Sequence, residues 1–287
     1  METGKRLFAF ITNVKNHANN IEIDEQRYKL LEKYVTGNTS GYDSLIKERL
    51  NTLKQEFDLD TSPKTEAYVF LSSTKLLWSR PELVPGEGYL AGGFFLNGFA
   101  EMLLEPSDFW SQTHRAFELV DQADLAETPQ NMSWFSGTTA PASPIYMPEY
   151  GCVPVRHGEI PSEFYFYDSG LLFPLPFTSI DEYLHAMVAS ACVRCWQYFY
   201  IDPALIVAKS KPCSYYTWSL HISTGLDPAL EDLTPVKDPR YNRLDLVAEH
   251  LERCVKLLPR SFPFLDFAHH RSYLETFLSA YRAEGSV

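Results

Sequence analysis

This 287-residue chain has no long apolar run. Its best candidate, residues 93–104, is broken by Asn97 and Glu101. A bilayer span needs about 18 apolar residues, so no membrane partner is expected. Basic charge is also scarce. Against 37 Asp and Glu stand only 25 Lys and Arg, a formal net charge of −12. That balance argues against gripping a nucleic-acid backbone over a broad surface. The aromatics of residues 131–210 are accompanied only by Arg156, Arg194 and Lys209. A platform for single-stranded nucleic acid interleaves its rings with more cations than that.

Cysteine is limited to five residues, an odd count that does not suggest a disulfide framework in a chain this long. Cys192-x-x-Cys195 is the only close pair, and no second pair or H-x-x-x-H supplies the remaining ligands of a zinc site. A redox pair opens a helix after a strand. This one closes an apolar helical pattern, so the thiols are read as buried, and a reducing cytoplasm as their compartment.

Catalytic fingerprints are missing as well. The chain has no G-x-S-x-G elbow, no G-x-G-x-x-G after a strand, no phosphate loop and no H-E-x-x-H. Ser72-Ser73-Thr74-Lys75 satisfies S-x-x-K without its companion signatures. His114, His185 and His221 lack Asp, Cys or His at ligand spacing. His269 and His270 are adjacent, so on a helix they diverge by about 100° and suit a helix start or core better than one metal. No metal or cofactor is expected. Asp168 and Asp202 each follow an aromatic strand-like run. They either form an acid/base pair or serve turn chemistry, and Asp before Ser-Gly or Pro favours the turn.

The residues that are present alternate between helical and strand periods. Lys5 and Arg6 precede the apolar residues 7–11, which resemble a short signal peptide but end at Thr12-Asn13 without a small-residue cleavage site. They are read as a buried strand or first helical turn. Asp24 caps a helix carrying Tyr28, Leu31 and Tyr34, and Asp43 caps a second with Leu45, Ile46, Leu50, Leu53 and Phe57. Strands are expected at 67–71 and 89–95, where Gly92-Gly93 signals a bulge or a close backbone approach. A helix is expected at 107–126, and short strands with irregular links across 128–158. A hairpin is expected at 164–173, then a helix opened by the capping box Ser179-x-x-Glu182. Two late helices are expected at 240–258 and 269–281. Helices outnumber a regular βαβ alternation, so the fold class is α+β. The sheet is expected to be mixed or mainly antiparallel, with helices packed on it and an N-terminal helical hairpin. Residues 1–62 form a helical segment packed on a main domain of 63–287.

Charge is uneven along the chain. Residues 63–210 hold 7 basic and 17 acidic side chains, whereas the segments on either side are near neutral. Residues 107–127 contain Asp108, Glu118, Asp121, Asp124 and Glu127 with only Arg115 among them. Such a face is either a solvated surface or a docking surface for a basic partner.

Residues 146–202 resemble the SUKH superfamily, which contains fungal cell-wall-assembly regulators and bacterial toxin-immunity proteins. The resemblance rests on Phe164-Tyr165-Phe166-Tyr167-Asp168-Ser169-Gly170, Phe173-Pro174-Leu175 and Ser179-Ile180-Asp181-Glu182-Tyr183-Leu184, with Ile180 where the family has an aromatic. It implies an α+β fold without enzymatic activity, acting as a protein-binding module that often neutralises a cognate toxin. The resulting expectation is a non-catalytic cytoplasmic binding protein with a protein partner, such as a basic toxin. Its candidate partner-binding residues are Asp108, Glu118, Asp121, Asp124, Trp134 and Phe135. One alternative is an enzyme using Asp168, Asp202 or His157. Another is a subunit of a larger assembly, held through the Trp134-Phe135 region.

Overall fold

Leu7, Phe10, Ile11 and Val14 recur at helical spacing, and all four are buried in helix α1 (Glu2–His17). Of the two readings, buried strand or first helical turn, the helical one holds: the apolar stretch is one face of a 16-residue amphipathic helix. The computed structural model describes residues 2–17, 20–36, 51, 55, 74–80, 90–96, 132–137, 150–154, 162–168, 171–210 and 243–284. Helix α2 (Glu25–Val35) starts as expected, with the Tyr28 amide bonding the Asp24 carbonyl at 2.8 Å. It packs on α1, where Phe8 stacks on Tyr28 at 5.2 Å. Of the second half of the expected helical hairpin only residues 51 and 55 are described, both helical, and the strand at 67–71 and the helix at 107–126 lie outside the described residues.

Among the described residues seven strands form one sheet: β1 (Asn20–Ile23), β2 (Thr74–Arg80), β3 (Leu90–Leu96), β4 (Met132–Gly137), β5 (Tyr150–Pro154), β6 (Phe164–Asp168) and β7 (Leu171–Leu175). Each pairs with its neighbour in sequence, and every described ladder is antiparallel. With its helices this is an α+β fold, and the N-terminal segment supplies the first strand. Helices α3 (Ile180–Ala189), α4 (Pro203–Lys209), α5 (Arg243–Ser261) and α6 (Ala268–Glu284) follow or flank the last hairpin. The two late helices stand where the periodicity places them.

The β3–β4 ladder covers only Phe95 and Leu96 of β3. The rest of that β3 edge is taken by the turn after α3. Gly93 N–H donates to Cys192 O at 2.7 Å, Arg194 N–H donates to Ala91 O at 3.2 Å, and Gly92 bridges Val193. Backbone groups alternate sides along a strand, so Ala91, Gly93 and Phe95 present theirs to one edge. The first two bond the turn, and the third faces β4. From the other side Trp78 Nε1 donates to Ala191 O at 2.9 Å. A Cβ on residue 92 would collide with the Cys192 carbonyl and the Trp78 ring. Gly92 is therefore the close approach that its position in a strand suggests. The turn itself is tight: Ala191, Cys192 and Cys195 have φ of 51°, 52° and 55°. L-residues enter that left-handed region only when surrounding contacts hold them there.

The hairpin β6–β7 and helix α3 pack together, Phe164 stacking on Tyr183 at 5.2 Å. Ser179 Oγ accepts from the Glu182 amide at 3.2 Å, as a capping box requires. The reciprocal arm is displaced by one residue. Glu182 accepts from the amide and hydroxyl of Thr178, at 2.8 and 2.9 Å, rather than from the cap amide. Those bonds, the amide's first, hold its carboxyl below the usual range. At the end of the sheet, β7 is blunted in two ways. Pro174 offers no N–H, and Lys209 of α4 donates to Leu172 O at 3.0 Å.

Gly92→Ala is expected to destabilise the protein by about 3 kcal/mol, since the added methyl meets backbone and a buried indole. Ser179→Ala should cost about 1 kcal/mol through the lost cap. Urea unfolding monitored by tryptophan fluorescence checks both, and an unchanged midpoint for Gly92→Ala would refute the close approach.

Candidate functional site

Residues 196–201, dense in aromatics, form the 3-10 turn Trp196–Tyr200. Four of its five side chains are buried, and between them they reach α3, the last hairpin and α6. Trp196 meets Tyr183 edge-on at 5.1 Å, and Gln197 Nε2 donates to the Tyr183 hydroxyl at 3.5 Å. That hydroxyl bonds Ser136 of β4 over Gly151 of β5, where a Cβ would strike the Tyr183 phenol. Tyr198 packs on Phe166 and Phe173, and Phe199 and Tyr200 face α6.

Two clusters of chemistry-bearing groups flank this turn. In the first, Asp168 is fully buried and accepts from the Tyr198 hydroxyl at 2.6 Å. Its role is therefore more than local turn chemistry. His250 of α5 lies in the field of the Asp168 carboxylate, and Cys254, one helical turn on, has Sγ 3.6 Å from His250 Nε2. A thiol beside an imidazole suggests a nucleophile, but burial decides otherwise. Desolvation, aided by the Arg253 charge, pushes the His250 pKa down to about 3. Burial pushes the Cys254 and Cys192 thiols far up. Both partners of the pair stay neutral, so no thiolate forms. Cys192, Cys195 and Cys254 are all buried and form no disulfide among the described residues.

The second cluster joins α3, the turn and α6. His270 Nε2 lies 2.9 Å from Ser190 Oγ, and both side chains are buried. Ser190 Oγ lies 2.9 Å from Ala186 O, and Tyr200 OH lies 3.4 Å from the same carbonyl. His270 Nδ1 has no partner among the described residues. A buried N–H without an acceptor is costlier than a bare lone pair, so the proton sits on Nε2 and is donated to Ser190. Ser190 in turn donates to Ala186 O. The proton flow runs away from what nucleophilic catalysis needs, which is a serine giving its proton to histidine. Burial also lowers the His270 pKa to about 3, with repulsion from His269 adding and Asp266 opposing.

The sequence candidates are spread through the fold. Asp202 is exposed and caps α4, accepting from the Ala204 amide at 2.9 Å. It and Asp168 therefore do unrelated work. His185 is exposed on α3 and bonds Arg6 of α1. His269 and His270 diverge as expected, His269 reaching Phe199 O at 2.8 Å instead of Ser190. Trp134 registers with Cys152, and Phe135 is the extra residue of a bulge before Ser136 pairs with Gly151. Asp108, Glu118, Asp121, Asp124 and His157 lie outside the described residues. Comparison with known family models, curated proteins and solved structures finds no match. Among the described residues no group of three or more His, Cys, Asp or Glu is placed to hold a metal, and no helix is long and apolar enough to cross a membrane. Nothing in the sequence marks His250 and Ser190, because their neighbours, Asp168 and His270, are 82 and 80 residues away in the chain.

Both histidines have folded pKa values below the unfolded value, so the unfolded state takes up protons first. Their stabilising effect is full above about pH 6.5 and is lost as pH falls toward 3. Between about pH 7.5 and 5.5 each is expected to lower stability by about 1.4 kcal/mol. Urea titrations of the wild type, His250→Gln and His270→Gln at both pH values test this. Equal pH dependence in all three would show that these imidazoles are not the source.

Proposed function

We propose that this chain is a non-catalytic protein-binding module of the cytoplasm, an immunity or regulatory protein of SUKH type whose partner is a basic protein. The observation that carries this reading is the burial of the described chemistry. Cys192, Cys195, Cys254, Ser190, His250, His270 and Asp168 are all interior, and their groups are neutral or engaged with one another. An acid/base pair at Asp168 and Asp202 is disfavoured by the same geometry, since Asp168 is held by Tyr198 and Asp202 caps a helix. The strand–turn–strand–helix unit of residues 164–189, which carries the family resemblance, is consistent with it. So is the charge: residues 63–210 hold 17 acidic side chains against 7 basic ones. A basic toxin would be attracted to such a partner over a Debye length of about 8 Å at physiological salt.

Charge at an interface rim acts mainly on the association rate. Tagged protein should capture a basic partner at 1:1 stoichiometry, and biosensor kinetics should show association slowing as salt rises. Glu118→Lys combined with Asp121→Lys is expected to slow association at low salt and flatten the salt dependence. Stability should stay within about 0.5 kcal/mol. Unchanged association in the double variant would remove the acidic segment from the interface. Turnover of a substrate by the purified protein would overturn the non-catalytic reading itself.

A further inference from the structure

Helix α6 is tied at its N-terminal end by three side-chain hydrogen bonds. His269 reaches Phe199 O at 2.8 Å, His270 reaches Ser190 Oγ at 2.9 Å, and Tyr273 OH donates to Ile201 O at 2.6 Å. All three partners lie within residues 190–201, so the first two turns of α6 dock on one short segment. The rest of the helix packs on α4 and α5. The bonds of His269 and Tyr273 need only a donor, and a protonated His269 still donates.

His270 is different. Its ring is 1% exposed and caged by Phe199, Phe267 and Tyr200, with centroids at 4.4, 5.4 and 6.3 Å. Nδ1 has no partner among the described residues. A proton at Nδ1 would add a donor with no acceptor and a charge in an apolar cage, which the docked state disfavours strongly.

We propose that His270 is an acid-sensitive latch, whose protonation at Nδ1 releases α6 from residues 190–201 while the sheet stays folded. The linker that would pivot, residues 262–267, contains Pro263 and the exposed Phe264. Two charged groups act on His270 directly: His269 on its own helix, which adds to the effect, and Asp266 in the linker, which opposes it. The 3-10 turn presents the Tyr200 phenol, and α3 presents only the Ser190 hydroxyl. On α4, Asp202 bonds the Ala204 amide and Lys209 the Leu172 carbonyl. On α5, Arg260 in the last turn is exposed. Release would uncover Phe199, Phe267 and Phe277, now buried.

Hydrogen exchange read by mass spectrometry, with rates corrected for intrinsic pH dependence, tests the latch. A pH of about 5.5 stays above the pI near 5.1 and preserves solubility. From about pH 7.5 to 5.5, opening of peptides in 268–284 should rise about 10-fold, while those of 164–175 keep their protection. In His270→Gln, which keeps an N–H for Ser190 and cannot ionise, the acid response of α6 should vanish. It should persist in His250→Gln. An α6 response that is absent in the wild type, retained in His270→Gln, or matched by the sheet would overturn the proposal. If His270→Gln fails to fold, imidazole NMR titration of the wild type decides. A His270 resonance that titrates near pH 6.5 while α6 amides stay protected rules the latch out.

Discussion

The fold depends on how closely the turn Ala191–Cys195 approaches strand β3. Three backbone or indole hydrogen bonds and one bridge pin it to Ala91, Gly92, Gly93 and Trp78. Without that approach the β3 edge would carry unpaired groups in the interior, because β4 covers only its last two residues. The approach also positions everything after it. The turn leads directly into Trp196–Tyr200, so its placement sets where Tyr198 meets Asp168 and where Phe199 and Tyr200 meet α6. Three left-handed non-glycine residues are the strain that goes with it. Trp78 explains why the strain is held: its ring fills the space at Gly92 while its N–H takes the Ala191 carbonyl, fixing the first left-handed residue in place.

Local features of the structure were legible in the amino-acid order, and long-range ones were not. Ser179 and Glu182 are three residues apart, so their cap is a short-range property and could be named in advance. The hairpin 164–175, the strand at Gly92-Gly93 and the two late helices are likewise written in periodicity and turn residues. The strand order was not, because nothing in a strand's own alternation says which strand lies beside it. The meander emerges only once the ladders are seen. The N-terminal apolar residues were ambiguous for another reason: five in a row fit a strand, a helical turn or a signal, and only Val14, at spacing seven from Leu7, discloses the helix.

The two polar clusters mark the same boundary between local and distant. Local chemistry marks Asp168 as a turn carboxylate, whereas its partner Tyr198 lies thirty residues on. His270 is the core and helix-start residue that its place beside His269 indicates, yet its partner Ser190 comes from the end of another helix. What makes both clusters intelligible is the aromatic turn between them. Its side chains reach α3, the last hairpin and α6, so one short segment of chain serves several neighbours at once. A substitution within it would be felt by the hairpin, by α3 and by α6 together, and such contacts are not additive.

Burying neutral imidazoles in an acidic protein sets two electrostatic effects against each other. As pH falls toward the pI near 5.1, the net charge of −12 shrinks and self-repulsion eases, which favours the compact state. Over the same range His250 and His270 favour states in which they can be protonated. The first effect is spread over the surface and screened by salt, whereas the second acts at two desolvated points where screening is weak. Of the two sites, His250 is wedged between α5 and the β6–3-10-turn region, with Asp168 partly offsetting a positive charge there. His270 holds the start of α6, and Asp266 in the preceding linker partly offsets a positive charge there. Acid therefore acts at two separate points of the fold, the α5 contact at His250 and the docked start of α6 at His270.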